Sequence, residues 1–372
     1  MDDAKDPFAD RLRALRAEPS RDVAGDAARL RRVGLTRAEM QGQGAAIRET
    51  LAAEAPALDG LAARIRTRGF DHLVVAGCGD SWFTGMGVRH ALETLTGRPA
   101  IAVQALDFAA YDHAGTGPGG VVFGLSAGGN TPAVMAALRA ARARGAMTVG
   151  ISNTAGSPVL TEFDGALRVH ATRRGWPTQS STAAMALLVS LGLRIAGASP
   201  HAAPIAAALA AAPDLADSAL AAADAPMART AAGIADATTV FFAGAGPHFA
   251  TASFAAAKIR ELSPVHAAAF PLEELHHYRL PKRGDALFVI APDRASRERA
   301  FDTVLVGAAE GARVHVLLAE PDREIEARAA ATLRIPAADA AVAAIVHAPA
   351  LHALAYHFAT ARDAAGLGGP GA

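Results

Sequence analysis

The chain has 372 residues, 51% of them hydrophobic, so it can bury one large core or two of ordinary size. The chain has 36 basic residues (Lys and Arg together) and 36 acidic residues (Asp and Glu together). This balance indicates no binding to nucleic acid or to an anionic membrane. The single cysteine, Cys78, excludes an internal disulfide framework and suits a reducing compartment. The charged N-terminus has no apolar signal core, and the apolar runs are too short to span a membrane. We therefore expect a cytoplasmic protein without a membrane span.

The first part of the chain changes from helical to alternating strand and helix patterns. Residues 1–34 are polar, which predicts a short helix or a loose arm. A helical pattern covers Thr36 to Arg68. The strand candidates that follow are the apolar runs at 72–77, 101–105, 121–126, 147–152 and 166–170. Helical segments separate these runs, and this order predicts an α/β fold with a doubly wound parallel sheet.

The second part repeats this pattern after a long helix that we predict to start near Gln179 and an Ala/Asp/Pro-rich connector. The further strand candidates are the runs at 238–246, 286–292, 313–320 and 333–336. The glycine turns GCG and GAG start 167 residues apart (244 − 77), which predicts two copies of one α/β unit. The predicted segments are a polar arm at 1–34, a first subdomain with its leading helix at 35–196, a connector at 197–235, a second subdomain at 236–365 and a short flexible tail at 366–372.

Three turns rich in glycine or hydroxyl groups are candidates for binding a ligand. Their candidate contact residues are Cys78, Gly79 and Ser81 in the first turn, Ser126, Ala127, Gly128 and Thr131 in the second, and Gln179, Ser181 and Thr182 in the third. Backbone N–H groups at a helix start bind anions, although each turn alone also fits ordinary helix capping. As a dinucleotide fingerprint the first turn is poor, because its third glycine is misplaced and the next strand does not end in an acidic residue.

The stretch KIRELSPVHAAAFPLEELHH at 258–277 gathers many titratable side chains in an Ala-rich chain. One interpretation is a helix end followed by a solvated corner. The other is a proton-transfer site, because a shielded carboxylate can act as base and acid near neutral pH and a histidine titrates there. The residues of the stretch alone leave both interpretations open.

Several motifs taken in order resemble the SIS (sugar isomerase) family. They are Gly-Cys-Gly-x-Ser at 77–81, Leu-Ser-x-x-Gly-x-Thr at 125–131, Gly-Ile-Ser-Asn at 150–153 and Ser-Ser-Thr at 180–182. More specifically, the chain resembles the two-SIS isomerase half of glucosamine-6-phosphate synthase, and the group includes stand-alone amino-sugar-phosphate deaminases and fructosamine-6-phosphate deglycases. The resemblance runs from about Leu35 to Asp363 and implies two tandem flavodoxin-like subdomains. No glutaminase domain precedes it, so we do not expect ammonia channelling from glutamine in this polypeptide.

The resemblance also implies catalytic residues in the stretch 258–277. Glu261 is similar to the family's proton shuttle between C1 and C2 of the sugar, and His277 to its ring-opening group. Lys258, one turn before Glu261, would hold that carboxylate or steady an enediol-like intermediate. In the family this histidine reaches the active site of the neighbouring subunit, which implies a homodimer with shared sites. No cofactor or metal is expected.

Three departures from the family limit the identification of the substrate. The second turn has Gly128 and Asn130 where relatives carry a serine and an acid, Ala183 replaces a lysine, and the terminal lysine-bearing segment is missing. These departures are compatible with a substrate that has a different anionic headgroup or a modified sugar. We expect amine release from an acidic amino sugar or fructosamine. Aldose–ketose isomerisation of a phosphorylated or sulfonated hexose is the first alternative, and a non-catalytic sugar-phosphate sensor is the second.

Overall fold

The computed structural model describes residues 22–278, 280–291 and 293–369, so most of the predicted N-terminal arm and the last three residues of the tail lie outside it. The described chain contains two five-stranded sheets in which all paired strands are parallel. The strands are β1 His72–Gly77, β2 Ala100–Gln104, β3 Gly120–Leu125, β4 Met147–Ser152 and β5 Gly165–Arg168 in the first sheet, and β6 Thr239–Gly244, β7 His266–Pro271, β8 Ala286–Ile290, β9 Arg313–Leu318 and β10 Ala331–Arg334 in the second.

Helices connect the strands and cover both faces of each sheet. They are α1 Ala27–Met40, α2 Gln43–Ala53, α3 Ala55–Arg68, α4 Asp80–Thr96, α5 Ala105–Ala110, α6 Pro132–Ala143, α7 Pro158–Thr161, α8 Gln179–Ala196, α9 Ala202–Gly233, α10 Pro247–Leu262, α11 Leu272–Tyr278, α12 Arg297–Ala309, α13 Arg323–Glu326 and α14 Ala343–Ala364, with a 3-10 helix at Asp112–Gly115. The central strands are apolar throughout because both of their faces are buried.

Both sheets have the same strand order. The first is β2-β1-β3-β4-β5, and the second is β7-β6-β8-β9-β10 read in the equivalent direction. This is the flavodoxin-like order, with the reversal between β1 and β3 in one sheet and between β6 and β8 in the other. The prediction of two tandem doubly wound parallel-sheet subdomains is confirmed.

The leading helical segment differs from the continuous pattern predicted over 36–68. It forms three helices, broken at Gly42 and again at Glu54. Pro56 lies in the first turn of α3, where its missing N–H costs nothing, so it starts a new helix here. Val33 and Met40 of α1 pack into the core of the second sheet, although α1 precedes the first.

Two further elements differ from the sequence pattern. The segment His266–Pro271, for which no strand was predicted, is strand β7, paired with β6 at the edge of the second sheet. Its alanines give no β-branched signature, and only pairing reveals the strand. The connector is the single helix α9, which is long and apolar enough to cross a membrane by length and composition only. Buried positions recur along α9 from Ile205 to Ala231, and it packs against α14.

The contact between the two subdomains positions the site. Helix α4, which follows the first glycine turn, packs against α10, which follows the equivalent turn in the second unit. The C-terminal turn of α10 lies beside the N-terminus of α4, because Lys258 contacts Asp80. A side chain late in α10 therefore reaches the carboxyl edge of the first sheet.

Candidate functional site

A cavity of about 280 Å³ lies at the carboxyl ends of β1, β3 and β4, next to α10. Nine of the predicted site residues line it: Cys78, Gly79, Ser81, Ser126, Ala127, Gly128, Thr131, Ser181 and Glu261. The strand order of the first sheet reverses between β1 and β3, and this reversal forms the crevice in which open α/β sheets bind ligands. The sheet thus brings the hydroxyl-rich turns together, and α10 adds the carboxylate of Glu261.

The turn after β1 is fixed by close backbone contact and carries a neutral thiol. A Cβ on Gly77 would lie 2.5 Å from the carbonyl carbon of Ser81, so only glycine lets α4 begin this close to the strand. Burial raises the pKa of the Cys78 thiol against a smaller opposing effect of a backbone hydrogen bond at Ala105. A protonated thiol is a weak nucleophile, so Cys78 shapes the cavity and is not suited to covalent catalysis.

The turn after β3 is closed by its own serine. The Ser126 hydroxyl accepts hydrogen bonds from the backbone N–H of Gly129 at 3.0 Å and of Thr131 at 3.3 Å. Gly129 has a φ of +78°, and a Cβ there would lie 2.1 Å from Ser157 Oγ. Within the described chain, the N–H groups of Ala127 and Gly128 make no hydrogen bond. These two donors line the cavity and form a nest suited to anionic oxygens.

An arginine adds positive charge beside this turn. Arg173 lines the cavity, and its Nη2 lies 3.5 Å from the position that a Cβ on Gly128 would take. The segment that carries Arg173 is held by the buried carboxylate of Glu39 in α1. Glu39 accepts hydrogen bonds from Thr172 Oγ1 at 2.7 Å, Arg174 N at 2.7 Å and Gly175 N at 3.0 Å. These hydrogen bonds hold the residues on both sides of Arg173 and so position Arg173 beside the turn after β3.

The part of the cavity next to α10 contains two carboxylates that share one lysine. Lys258 is fully buried and donates to Asp80 Oδ2 at 2.6 Å and to Glu261 Oε2. Asp80 and Glu261 line the cavity with side chains that are 12% and 30% exposed, whereas Lys258 lies behind them. The contact that we predicted between Lys258 and Glu261 is present, and Asp80 from the other subdomain completes it.

The electrostatics of this cluster favour a carboxyl group that titrates above its usual range. Burial alone would lower the pKa of Lys258, but the charges of Asp80 and Glu261 outweigh burial, and the pKa is raised. The pKa of Glu261 is raised mainly by burial, and also by the negative charge of Asp80, against the opposing effects of Lys258 and Arg32. One ammonium group cannot fully neutralise two carboxylates, so Glu261 gains and loses a proton easily.

Besides Lys258, three predicted residues do not line this cavity. Gln179 Nε2 donates to Thr172 Oγ1 at 2.6 Å, and the Thr182 hydroxyl lies 3.3 Å from Gln43 Oε1. These bonds support the loop before α8 and the start of that helix, and direct contact of the two residues with a ligand stays a prediction. His277 is 62% exposed on α11 and does not line the cavity of its own chain. Its catalytic role also stays a prediction and requires a second copy of the chain.

Several cavity residues were not assigned from the sequence. Asp80 is the variable position of Gly-Cys-Gly-x-Ser, and an acidic residue at a helix start after a glycine turn was the available signal. Asn153 ends the Gly-Ile-Ser-Asn motif, and Ser180 stands beside Ser181. No local sequence pattern indicated Arg173, because the hydrogen bonds that position it come from Glu39 in the distant helix α1. Among residues 22–278, 280–291 and 293–369, no group of three or more His, Cys, Asp or Glu side chains is arranged to hold a metal ion.

Comparisons with known proteins agree with this architecture. The family model described as SIS domain matches residues 68–194 and 233–361. The glutamine–fructose-6-phosphate aminotransferase (isomerizing) of Chlorobaculum tepidum is 29% identical over 300 residues, which cover 78% of this chain and 48% of that protein. The chain thus spans about half the length of the curated relatives it matches.

Two solved structures have the same fold. The C-terminal domain of glucosamine-fructose-6-phosphate aminotransferase from Francisella tularensis superposes with a TM-score of 0.77 at 21% identity, covering 87% of this chain and 94% of that one. Glucosamine-6-phosphate deaminase from Thermotoga maritima gives 0.66 at 18% identity, covering 91% and 95%. With both halves matched by the family model and both sheets in the same strand order, the chain belongs to the SIS domain family.

Proposed function

We propose that this protein is a cofactor-free enzyme that moves a proton between C1 and C2 of a ring-opened acidic sugar and releases an amine from it. The observation that carries the proposal is the two-ended cavity. One end has free backbone N–H groups and Arg173, which suit an anionic headgroup, and the other end has Glu261, whose pKa is raised. A phosphorylated sugar bound by its headgroup would extend its reactive carbons toward Glu261.

The proton transfer follows from the state of Glu261. As a carboxylate it takes the proton from C2 of a 2-amino aldose, and as the acid it returns that proton to C1, which leaves an imine at C2. Hydrolysis of the imine consumes one water and yields a ketose and ammonia, so atoms balance without a redox partner. Lys258 holds Glu261 in place, and its positive charge stabilises the anionic intermediate.

The proposal includes a homodimer and a cytoplasmic location. His277 is exposed on α11, next to edge strand β7, and so is available to a second copy. From there it would exchange a proton with the ring oxygen during opening. The single cysteine in the sequence is unbridged, which suits a reducing compartment.

Simple aldose–ketose isomerisation is the alternative, favoured by the word "isomerizing" in the names of the curated relatives. It uses the same proton transfer and differs only in the group at C2. A coupled assay for ammonia or free amine, run beside an assay for ketose formation over a panel of hexose phosphates, amino-sugar phosphates and sulfonated hexoses, separates the two reactions. Ketose formation without amine release across the panel would leave only the isomerase.

The role of Glu261 is tested by Glu261→Gln, which keeps the shape of the side chain and removes its proton exchange. We expect kcat to fall by about 10²–10⁴-fold while binding of the sugar phosphate is retained. Glu49→Gln, the same change at an exposed position of α2 outside the cavity, is the matched control. Full turnover by Glu261→Gln would assign the base to another residue. A wild type that binds sugar phosphates but turns over none of them would favour a sensor.

A further inference from the structure

Two carboxylates, those of Asp80 and Glu261, line the cavity next to α10. Lys258 occupies Asp80 Oδ2 and Glu261 Oε2 from behind. Within the described chain, the other oxygen of each carboxylate has no hydrogen-bond partner. Neither oxygen is among the fully buried unsatisfied atoms, so both are open to the cavity. The cavity lining therefore has at least two acceptor oxygens without a hydrogen-bond partner in the described chain.

The charges of the cluster do not cancel. Asp80 and Glu261 carry two negative charges against the one positive charge of Lys258, which leaves a net charge of −1. Asp80 is the first residue of α4, where the helix N-terminus favours negative charge. Arg32 is the next cation that acts on Glu261, but it stacks on Trp176 and does not line the cavity. A cationic group of the ligand would complement this surplus negative charge.

The two ends of the cavity therefore differ in sign. The Ala127–Gly128 amides and Arg173 form a positive end, and the two carboxylates form a negative end. A simple sugar phosphate complements only the positive end. A sugar phosphate with an amino group on C1 or C2 complements both ends, since its ammonium would complete an alternating row of charges with Asp80, Lys258 and Glu261.

We infer that Asp80 is a specificity-determining residue that selects substrates with a cationic nitrogen on C1 or C2, by presenting its free carboxylate oxygen beside that of Glu261. This inference rests on the proposed function and narrows it to the amine-releasing branch. Asp80 acts through its position as well, because it shares Lys258 and so leaves the Glu261 carboxylate partly unneutralised. The ammonium of the substrate then stabilises the ionised form of Glu261 that takes the proton.

The test compares three open-chain probes: glucitol 6-phosphate and its 1-amino-1-deoxy and 2-amino-2-deoxy derivatives. Binding is measured by titration calorimetry on the full chain, so turnover is not needed. We expect wild type to bind at least one amino probe about tenfold or more tighter than glucitol 6-phosphate, the effect of one partly buried charge pair. Asp80→Asn should reduce this ratio to about threefold or less and change binding of glucitol 6-phosphate little. Asp80→Glu should restore part of the preference, and Asp112→Asn, on the surface and outside the cavity, should leave it unchanged.

Each outcome separates the inference from the proposed function. If glucitol 6-phosphate binds wild type and neither amino probe binds more tightly, the inference is overturned while an isomerase of acidic sugars stands. If the preference survives in Asp80→Asn, Asp80 does not determine it and the inference is overturned. If none of the three probes binds wild type, the anion site of the proposed function fails, and the inference fails with it. The wild-type comparison decides the first and third outcomes even if Asp80→Asn does not fold.

Discussion

Removing the charge of Lys258 should strongly lower the free energy of unfolding. It is fully buried and bridges Asp80 of the first subdomain to Glu261 of the second. Lys258→Met keeps the aliphatic stem and removes the charge, so the packing changes little. What remains is a pair of adjacent carboxylates without a cation. Breaking a buried ion pair by removing one partner costs about 3–5 kcal/mol, and we expect a loss of this size in the free energy of unfolding at pH 7.5.

The destabilisation by Lys258→Met should depend on pH in a defined direction. Without the ammonium, the pKa of Glu261 rises further above its ordinary value, since Lys258 opposes the rise in wild type. When the pKa of a carboxyl group is higher in the folded than in the unfolded protein, the group contributes its full stabilisation below the unfolded-state pKa. This contribution is lost as the pH rises through the folded-state pKa. The gap between variant and wild type should therefore be widest at neutral pH and should narrow toward pH 5.

Urea denaturation at pH 5.0, 6.0 and 7.5 measures this gap. The surface change Lys282→Met is the matched control and should cost less than about 1 kcal/mol at every pH. The triple variant Asp80→Asn, Lys258→Met, Glu261→Gln, which removes all three charges, should recover most of the stability. A loss below about 1 kcal/mol for Lys258→Met at pH 7.5, or a stability difference that widens toward acid pH, would show that Lys258 does not stabilise the two carboxylates.

Two further predictions concern backbone strain and acid stability. Gly129→Ala should lower the free energy of unfolding by about 2 kcal/mol or more, because φ at this position is +78° and the new Cβ would clash with the hydroxyl of Ser157. It should also abolish thermal-shift stabilisation by hexose 6-phosphates. The control Gly128→Ala, at a position without positive φ or close contact, should change stability little. Burial lowers the pKa of His315 to about 4, so its stabilising effect is present above pH 6.5 and is lost as pH falls through 4. Between pH 7.5 and pH 5, the free energy of unfolding measured in urea should therefore fall by about 2 kcal/mol less in His315→Phe than in wild type. The variant His201→Phe, at an exposed position, should show the same fall as wild type. Equal falls in all three proteins would contradict the role given to His315.

Most of the fold and many residues of the candidate site could be predicted from the sequence. Apolar runs too short for helices, separated by helical segments, defined nine of the ten strands, and the repeat of the glycine turns indicated two units. The hydroxyl-rich turns and Glu261 could be predicted because each lies in a contiguous motif. Local sequence is sufficient here because strand burial, turn conformation and helix starts depend on neighbouring residues.

The pairing of charged side chains could not be predicted from the sequence. Asp80 and Lys258 are 178 positions apart in the chain, and Glu39 and Arg174 are 135 apart, so no local pattern indicates either contact. Both contacts depend on helices packing across the two sheets, which happens only when the subdomains are assembled. Strand β7 was not predicted for a related reason: its alanine-rich segment forms a strand because it pairs with β6. Electrostatic partners and edge strands are set by long-range proximity, and that proximity is a property of the folded chain.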